Sequence, residues 1–160
     1  MKRRRTLIAG FGNPLIPGDD CGLRVVEELR RLGVDARWLG RGVQALIHLL
    51  PRYDEAILVD ASRRVEAGSV RVALLECGAG PGATSLHEAG LLEAACMALD
   101  AAEALRGERP RVYLVECGVG EGEPPIREAV EAILGLLYGS EAPGGRGAGE
   151  APRGASEDSA

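Results

Sequence analysis

The sequence predicts an α/β fold: a three-layer sandwich with a mostly parallel five-stranded twisted sheet flanked by helices. Three observations predict it. Short apolar runs alternate with longer amphipathic stretches between residues 6 and 138, the pattern of buried strands joined by crossover helices. Of the 160 residues, 46% are hydrophobic but only 3% are aromatic, so the chain can bury one substantial core built from Val, Leu, Ile and Ala. Glycine-rich strings at 10–22 and 78–87 stand where loops follow strands at a sheet edge.

The elements follow in order. Residues 6–12 read as a buried first strand. Residues 20–32 read as a helix, with Leu23, Val26, Leu29 and Arg30 at helical spacing and Asp19 or Asp20 placed to cap it. A second strand covers 35–39, and a short helix covers 43–50, ended by Pro51. The third strand is 56–60 and the fourth, rich in Val and Leu, is 69–76. A long Ala- and Leu-rich helix spans 86–106, a fifth strand 111–116 and a last helix 125–138. The connection 61–68 is too short for a parallel crossover, which needs about a dozen residues. Strands three and four are therefore expected to be antiparallel or not adjacent. Residues 1–138 form one domain in this reading, and 139–160, without apolar periodicity, form a disordered tail.

Bulk chemistry narrows the function. A net charge of −5 argues against a dedicated nucleic-acid or anionic-membrane binder. No apolar stretch approaches the ~20 residues of a membrane span, and the run after Lys2-Arg3-Arg4-Arg5 is too short for a signal peptide, so a cytoplasmic location is expected. No extended apolar stripe demands a partner copy, which makes a monomer the expectation. Cys21, Cys77, Cys96 and Cys117 lack C-x-x-C spacing, which disfavours structural zinc; each is read as a small buried hydrophobe. A bridge between Cys77 and Cys117, both in Glu-Cys-Gly strings, is conceivable. One Asn and one Gln against abundant Arg and Glu suit a thermophile.

Three residues carry the chemistry: Asp19, Asp60 and His87. In open α/β sheets, ligands bind beyond the carboxyl ends of the strands where strand order reverses. For an order 2-1-3 that point lies between strands one and three. Asp19 follows strand one and Asp60 ends strand three, so topology joins carboxylates about 40 residues apart. His87, at the start of the long helix, can reach the same rim. Oxygen and imidazole donors without thiolate suit nickel, zinc, manganese or iron, and three protein ligands leave positions open for water or substrate. Each residue also has a plainer reading: Asp19 as a helix cap, Asp60 as an acceptor for loop amides, His87 as a polar residue at a helix start. Gly10-Phe-Gly12 lacks the third glycine of a dinucleotide fingerprint, and the second strand ends without the acid that would hold a ribose. Gly78-Ala-Gly80-Pro-Gly-Ala83 is a loose match read as a mobile loop, and no G-x-S-x-G elbow is present. His48, inside an apolar helix, is read as structural.

These motifs resemble the hydrogenase maturation proteases, endopeptidases that trim the large subunit of nickel–iron hydrogenases. That family opens with a strand leading into G-x-G-N-x-L-x-x-D-[DE]-x-x-G, matched here by Gly10, Gly12, Asn13, Leu15, Asp19 and Gly22. Its second acid ends the third strand in a D-A context, like Asp60-Ala61. Its histidine begins a long helix as S-x-H-x-x-G-L, like Ser85, His87, Gly90 and Leu91. The resemblance covers residues 6–138. It implies a cytoplasmic, metal-binding peptidase whose Asp19, Asp60 and His87 read nickel already inserted in the hydrogenase large-subunit precursor. Nickel is then borne by the substrate rather than permanently held, and cleavage removes a C-terminal extension. Two departures stand out. Counting from Asn13 puts Gly18 and Asp19 at the family's two acidic positions, so a one-residue slip would exchange Asp19 for Asp20. The segment after strand two, acidic in the family, here reads Leu39-Gly-Arg-Gly42. A non-proteolytic nickel-binding accessory protein, or a protease acting on another metalloprotein precursor, is the alternative. Peptidyl-tRNA hydrolase shares the opening G-x-G-N-P, but no histidine falls between residues 13 and 37.

Overall fold

A computed structural model of the chain describes residues 4–78 and 86–139, with the backbone alone for 86–89. Nine main elements follow one another: β1 (Thr6–Phe11), α1 (Cys21–Arg31), β2 (Arg37–Gly40), α2 (Ala45–Leu49), β3 (Glu55–Ser62), β4 (Val70–Leu74), α3 (Leu86–Arg106), β5 (Arg111–Gly118) and α4 (Ile126–Tyr138). A 3-10 turn, Leu50–Arg52, extends α2. The α-helix stops at Leu49, just before Pro51 as expected, and Pro51 sits in the opening of the 3-10 turn, where a proline forfeits no intrahelical N–H bond.

The five strands form one sheet in the order β2-β1-β3-β5-β4. β1 runs parallel to β2 and β3, and β3 parallel to β5, while β4 runs antiparallel to β5 at the edge. The short connection after β3 is thereby explained. It does not return along the sheet but steps across the end of β5 to the far edge. The passage is close: Gly68 donates to the Gly118 carbonyl (3.0 Å) and Gly118 to the Ser69 carbonyl (2.7 Å). A side chain at Gly118 would collide with the Glu66 carbonyl oxygen, so only glycine fits there.

Alternation along the strands loads both faces of the sheet. On one face Leu7, Ala9, Phe11, Leu58 and Leu114 pack against Leu46 of α2, Leu50 of the turn, and Leu91, Ala95, Ala98, Leu99 and Ala102 of α3. On the other, Ile8, Ile57, Val59 and Val115 meet Val25, Val26 and Leu29 of α1 and Ala129, Val130 and Ile133 of α4. The expected three-layer sandwich is the observed one. The buried face of α1 runs through Cys21, Gly22, Val25, Val26 and Leu29 rather than Leu23 and Arg30; Arg30 lies outward and its Nε donates to the Ala36 carbonyl (2.8 Å). His48 is exposed on α2, which corrects its reading as structural: Leu46 of α2 and Leu50 of the turn supply the inward face instead.

The cysteines also depart from expectation. They are not isolated hydrophobes but two bridges, Cys21–Cys117 and Cys77–Cys96. The conceivable Cys77–Cys117 pairing is not formed. β4 is antiparallel, so its end, which Cys77 follows, lies at the opposite edge of the sheet from Cys117. Cys21–Cys117 ties the start of α1 to the end of β5, with Cα atoms 6.8 Å apart. Of the tail expected at 139–160, residues 140–160 lie outside the described residues, as do residues 79–85 of the second glycine string.

Loop-closure entropy favours the longer bridge. Sequence separations of 96 and 19 correspond to about 4.7 and about 3 kcal/mol in the chain-entropy treatment. Denatured protein should take up no thiol label until reduced, and Cys117→Ser should lower the urea midpoint more than Cys96→Ser. Four labelled cysteines without reductant, counted by mass spectrometry, would contradict both bridges.

Candidate functional site

Three backbone approaches bring the loops of the candidate site together. α1 begins directly above the C-terminal ends of β1 and β3. A Cβ on Gly22, in its first turn, would meet the Phe11 carbonyl oxygen at 2.5 Å and the Val59 oxygen at 3.1 Å. One on Gly10 would meet the Gly22 oxygen at 2.7 Å and Val26 Cγ2 at 2.8 Å. Gly12 adopts φ +142°, and a Cβ there would run into the Asp19 carbonyl oxygen. Such contacts exclude any side chain. The three glycines thus press the loop 12–20 and the helix start against the sheet edge.

Within that loop, Asp19 acts as a staple. Its Oδ2 accepts the Asn13 N–H at 2.7 Å. Asn13 Oδ1 accepts the Leu15 N–H at 3.0 Å, an Asx turn, and further 3.0 Å bonds run from Ile16 N to Asn13 O and from Asp19 N to Ile16 O. The expected capping role is not observed for either acid. Asp20 occupies the N-cap of α1 but makes no side-chain cap bond, and Asp19 turns back toward Asn13 instead. A carboxylate held by one N–H keeps a second oxygen for another ligand. Leu15 (88% exposed) and Ile16 (42%) stand outward from the same loop.

Asp60 is half-buried near the end of β3, and its Oδ1 accepts the Ala61 N–H at 2.9 Å. β1 and β3 are hydrogen-bonded neighbours in register through Gly10↔Val59. Strand order reverses between them: α1 leaves β1 on one face and α2 leaves β2 on the other. The loop of Asp19 and the end of β3 therefore flank the switch point, where a crevice is expected in this architecture.

His87 falls in the first turn of α3, and its side chain lies outside the described residues. Its level along the fold follows from the backbone. The far end of α3 is anchored at the N-terminal edge of the sheet, where Arg106 Nη2 bonds Asp54 Oδ1 at 2.7 Å and Nη1 donates to the Tyr53 carbonyl. From residue 106 back to 87 the helix climbs about 28 Å at ~1.5 Å per residue. The eight residues of β5 span about 26 Å. The start of α3 thus stands level with the C-terminal ends of the strands, as Asp19 and Asp60 do. Among the described residues no group of three or more His, Cys, Asp or Glu is set to hold a metal ion, and with all four cysteines bridged no thiolate is available. The described donors at this edge, from Asp19 and Asp60, are oxygen.

Sequence reasoning passed over Glu116. It was noted only as part of Glu-Cys-Gly, yet the register sets it directly opposite Asp60, and opposite Arg71 on its other side. Arg71 Nη1 lies 3.6 Å from Glu116 Oε1. The available signal was positional: Glu116 and Asp60 each follow directly on an apolar pair, Leu114-Val115 and Leu58-Val59, near the end of their strand. Arg41, after β2, and Arg63, after β3, are exposed at this edge.

No family model matches the sequence, and no curated protein matches it. Solved structures do. The chain is similar to the hydrogenase maturating endopeptidase HybD from E. coli, at 24% identity and a TM-score of 0.60, over 83% of this chain and 91% of that one. It is similar to the [NiFe] hydrogenase maturation protease HybD from Thermococcus kodakarensis, at 20% identity and a TM-score of 0.60, over 82% and 98%. An Escherichia coli endopeptidase solved in solution gives 23% identity and a TM-score of 0.61, over 86% and 94%. These likenesses show a shared fold along nearly the whole length of the matched proteins.

Three substitutions separate the scaffold from the carboxylate. Gly22→Ala forces its Cβ onto backbone oxygens and should destabilise the protein by about 1–3 kcal/mol in urea unfolding. Asp19→Asn retains an acceptor for the Asn13 N–H and should unfold like the wild type, whereas Asp19→Ala should lose about 1.5 kcal/mol. Equal stability of Asp19→Ala and wild type would remove the staple.

Proposed function

We propose that this chain is an endopeptidase of nickel–iron hydrogenase maturation, which recognises nickel in the large-subunit precursor and removes its C-terminal extension. The observation that carries the reading is the placement of Asp19 and Asp60 on either side of the switch point, in a fold shared with proteins named as hydrogenase maturation endopeptidases. Asp19 and Asp60 offer carboxylate oxygens and His87 an imidazole, a donor set that suits nickel. The metal is part of the substrate, so the ligands need no cluster assembled in advance; the nickel itself draws them together. A metal that polarises the scissile carbonyl supplies the activation that hydrolases without a nucleophilic triad require.

Other features agree. Exposed Leu15 and Ile16 beside Asp19 offer apolar surface to a protein substrate. No helix of the described residues is long and apolar enough to cross a membrane. The protein is read as a cytoplasmic monomer. Its two bridges fit a cytoplasm of the hyperthermophile kind, where intracellular disulfides are common, and the Asn- and Gln-poor composition points the same way.

Calorimetric titration with nickel and cadmium comes first. One equivalent should bind the wild type and be lost in Asp19→Ala, Asp60→Ala and His87→Ala. A nickel-loaded precursor incubated with each protein should be shortened at its C-terminus only by the wild type, read by mass spectrometry. Binding without shortening would identify the accessory protein instead. Normal processing by a folded His87→Ala variant would sink the assignment.

A further inference from the structure

Asp60, Glu116 and Arg71 form one row across three adjacent strands, β3, β5 and β4. In-register neighbours on a pleated sheet project to the same face. Alternation identifies which face. Leu58 and Leu114 pack on the α2–α3 side, and Val59 and Val115 on the α1–α4 side, so Asp60 and Glu116 both return to the α2–α3 side. Arg71 does so too, since its neighbours Val70 and Val72 pack on the α1–α4 side. This is also the face along which α3 climbs to His87.

Strands lie about 4.8 Å apart, so two carboxylates stand side by side, Glu116 reaching one methylene farther than Asp60. The Glu116 side chain is only 20% exposed, whereas Arg71 is 64% exposed. Adjacent like charges on one sheet face are destabilising, and the fold has no need of them: apolar residues at both positions would prolong the Leu58–Leu114 core. Arg71 pairs with Glu116 from the β4 side. Two like charges kept side by side at the switch point, where apolar residues would serve the fold, are where function, rather than folding, sets the residue type.

We infer that Glu116 is the general base that activates the hydrolytic water, a role that rests on the endopeptidase reading above. Asp19, Asp60 and His87 are engaged with the substrate's metal in that reading, and β2 ends in Leu39-Gly-Arg-Gly42 without an acid. Glu116 is the carboxylate left beside Asp60 with a cation behind it. As the water oxygen bonds to the scissile carbonyl carbon, Glu116 accepts its proton. The C–N bond then breaks and Glu116 delivers that proton to the departing amide nitrogen, which regenerates the carboxylate. One water is consumed, and no oxidant or reductant takes part. Arg71 holds the carboxylate in place from the solvent side.

The test uses full-length protein and nickel-loaded precursor. Glu116→Gln, the same size and shape, should fold as the wild type and bind cadmium with unchanged affinity. It should lower kcat by about 10²–10⁴-fold with little change in KM. Glu116→Asp should retain intermediate activity, and formate should restore part of the rate to Glu116→Ala, a rescue that a structural role would not show. Wild-type kcat in Glu116→Gln overturns the role alone, as does formate without effect on the Ala variant. Cadmium affinity lost in Glu116→Gln makes the residue a ligand and overturns it equally. A wild type that never shortens the precursor overturns both this role and the endopeptidase reading.

Discussion

Everything at the candidate rim depends on how closely the start of α1 lies against the sheet. Gly10, Gly12 and Gly22 allow backbone to touch backbone at three points, leaving no room for a Cβ at any of them. Moving α1 outward by the thickness of a methyl group would lift the 12–20 loop away from β3, and Asp19 with it. The staple from Asp19 to Asn13 then sets the orientation of the carboxylate within that loop. Packing and hydrogen bonding thus act in series: the glycines fix the height of the loop and the staple fixes its direction.

The Cys21–Cys117 bridge secures the same region covalently. Cys21 lies two residues past Asp19, and Cys117 directly follows Glu116. The bridge therefore links the α1 side of the switch point to the β5 strand that carries the row Asp60–Glu116–Arg71. Both sulfurs belong to residues with no solvent exposure, so the link is internal to the α1–α4 core. The Cys77–Cys96 bridge performs a parallel service on the other face, fastening the segment after β4 to the middle of α3. Long-range bonds of this kind restrict the unfolded chain as much as they hold the folded one.

The order of strands gives the chemistry its asymmetry. β1, β3 and β5 run parallel at the centre, so their C-terminal ends converge on one edge. β4 runs the other way, and it therefore presents its beginning, not its end, at that edge. This reversal puts Arg71 rather than Leu74 beside Glu116. It also carries Cys77 to the opposite edge, where it meets α3 instead of Cys117. One short connection, 63–69, decides both outcomes, and the absence of a side chain at Gly118 permits it.

By itself the sequence determined the elements and their alternation, including α3 at 86–106 and a connection at 61–68 too short for a parallel crossover, because helix periodicity, apolar runs and loop length act over a few residues. It also marked Asp19, Asp60 and His87 as lying at strand ends or helix starts, which is local information. It did not determine the direction in which Asp19 points, since a cap on α1 and a bond to Asn13 are equally compatible with Asn-Pro-Leu-Ile-Pro-Gly-Asp-Asp. Nor did it determine that Cys21 pairs with Cys117, that His48 faces solvent, or that Glu116 stands beside Asp60. Only the tertiary structure decided these, because each depends on which strands become neighbours and in what register. Register is a property of contacts between segments far apart in the chain, and a shift of one residue would send every side chain of a strand to the other face.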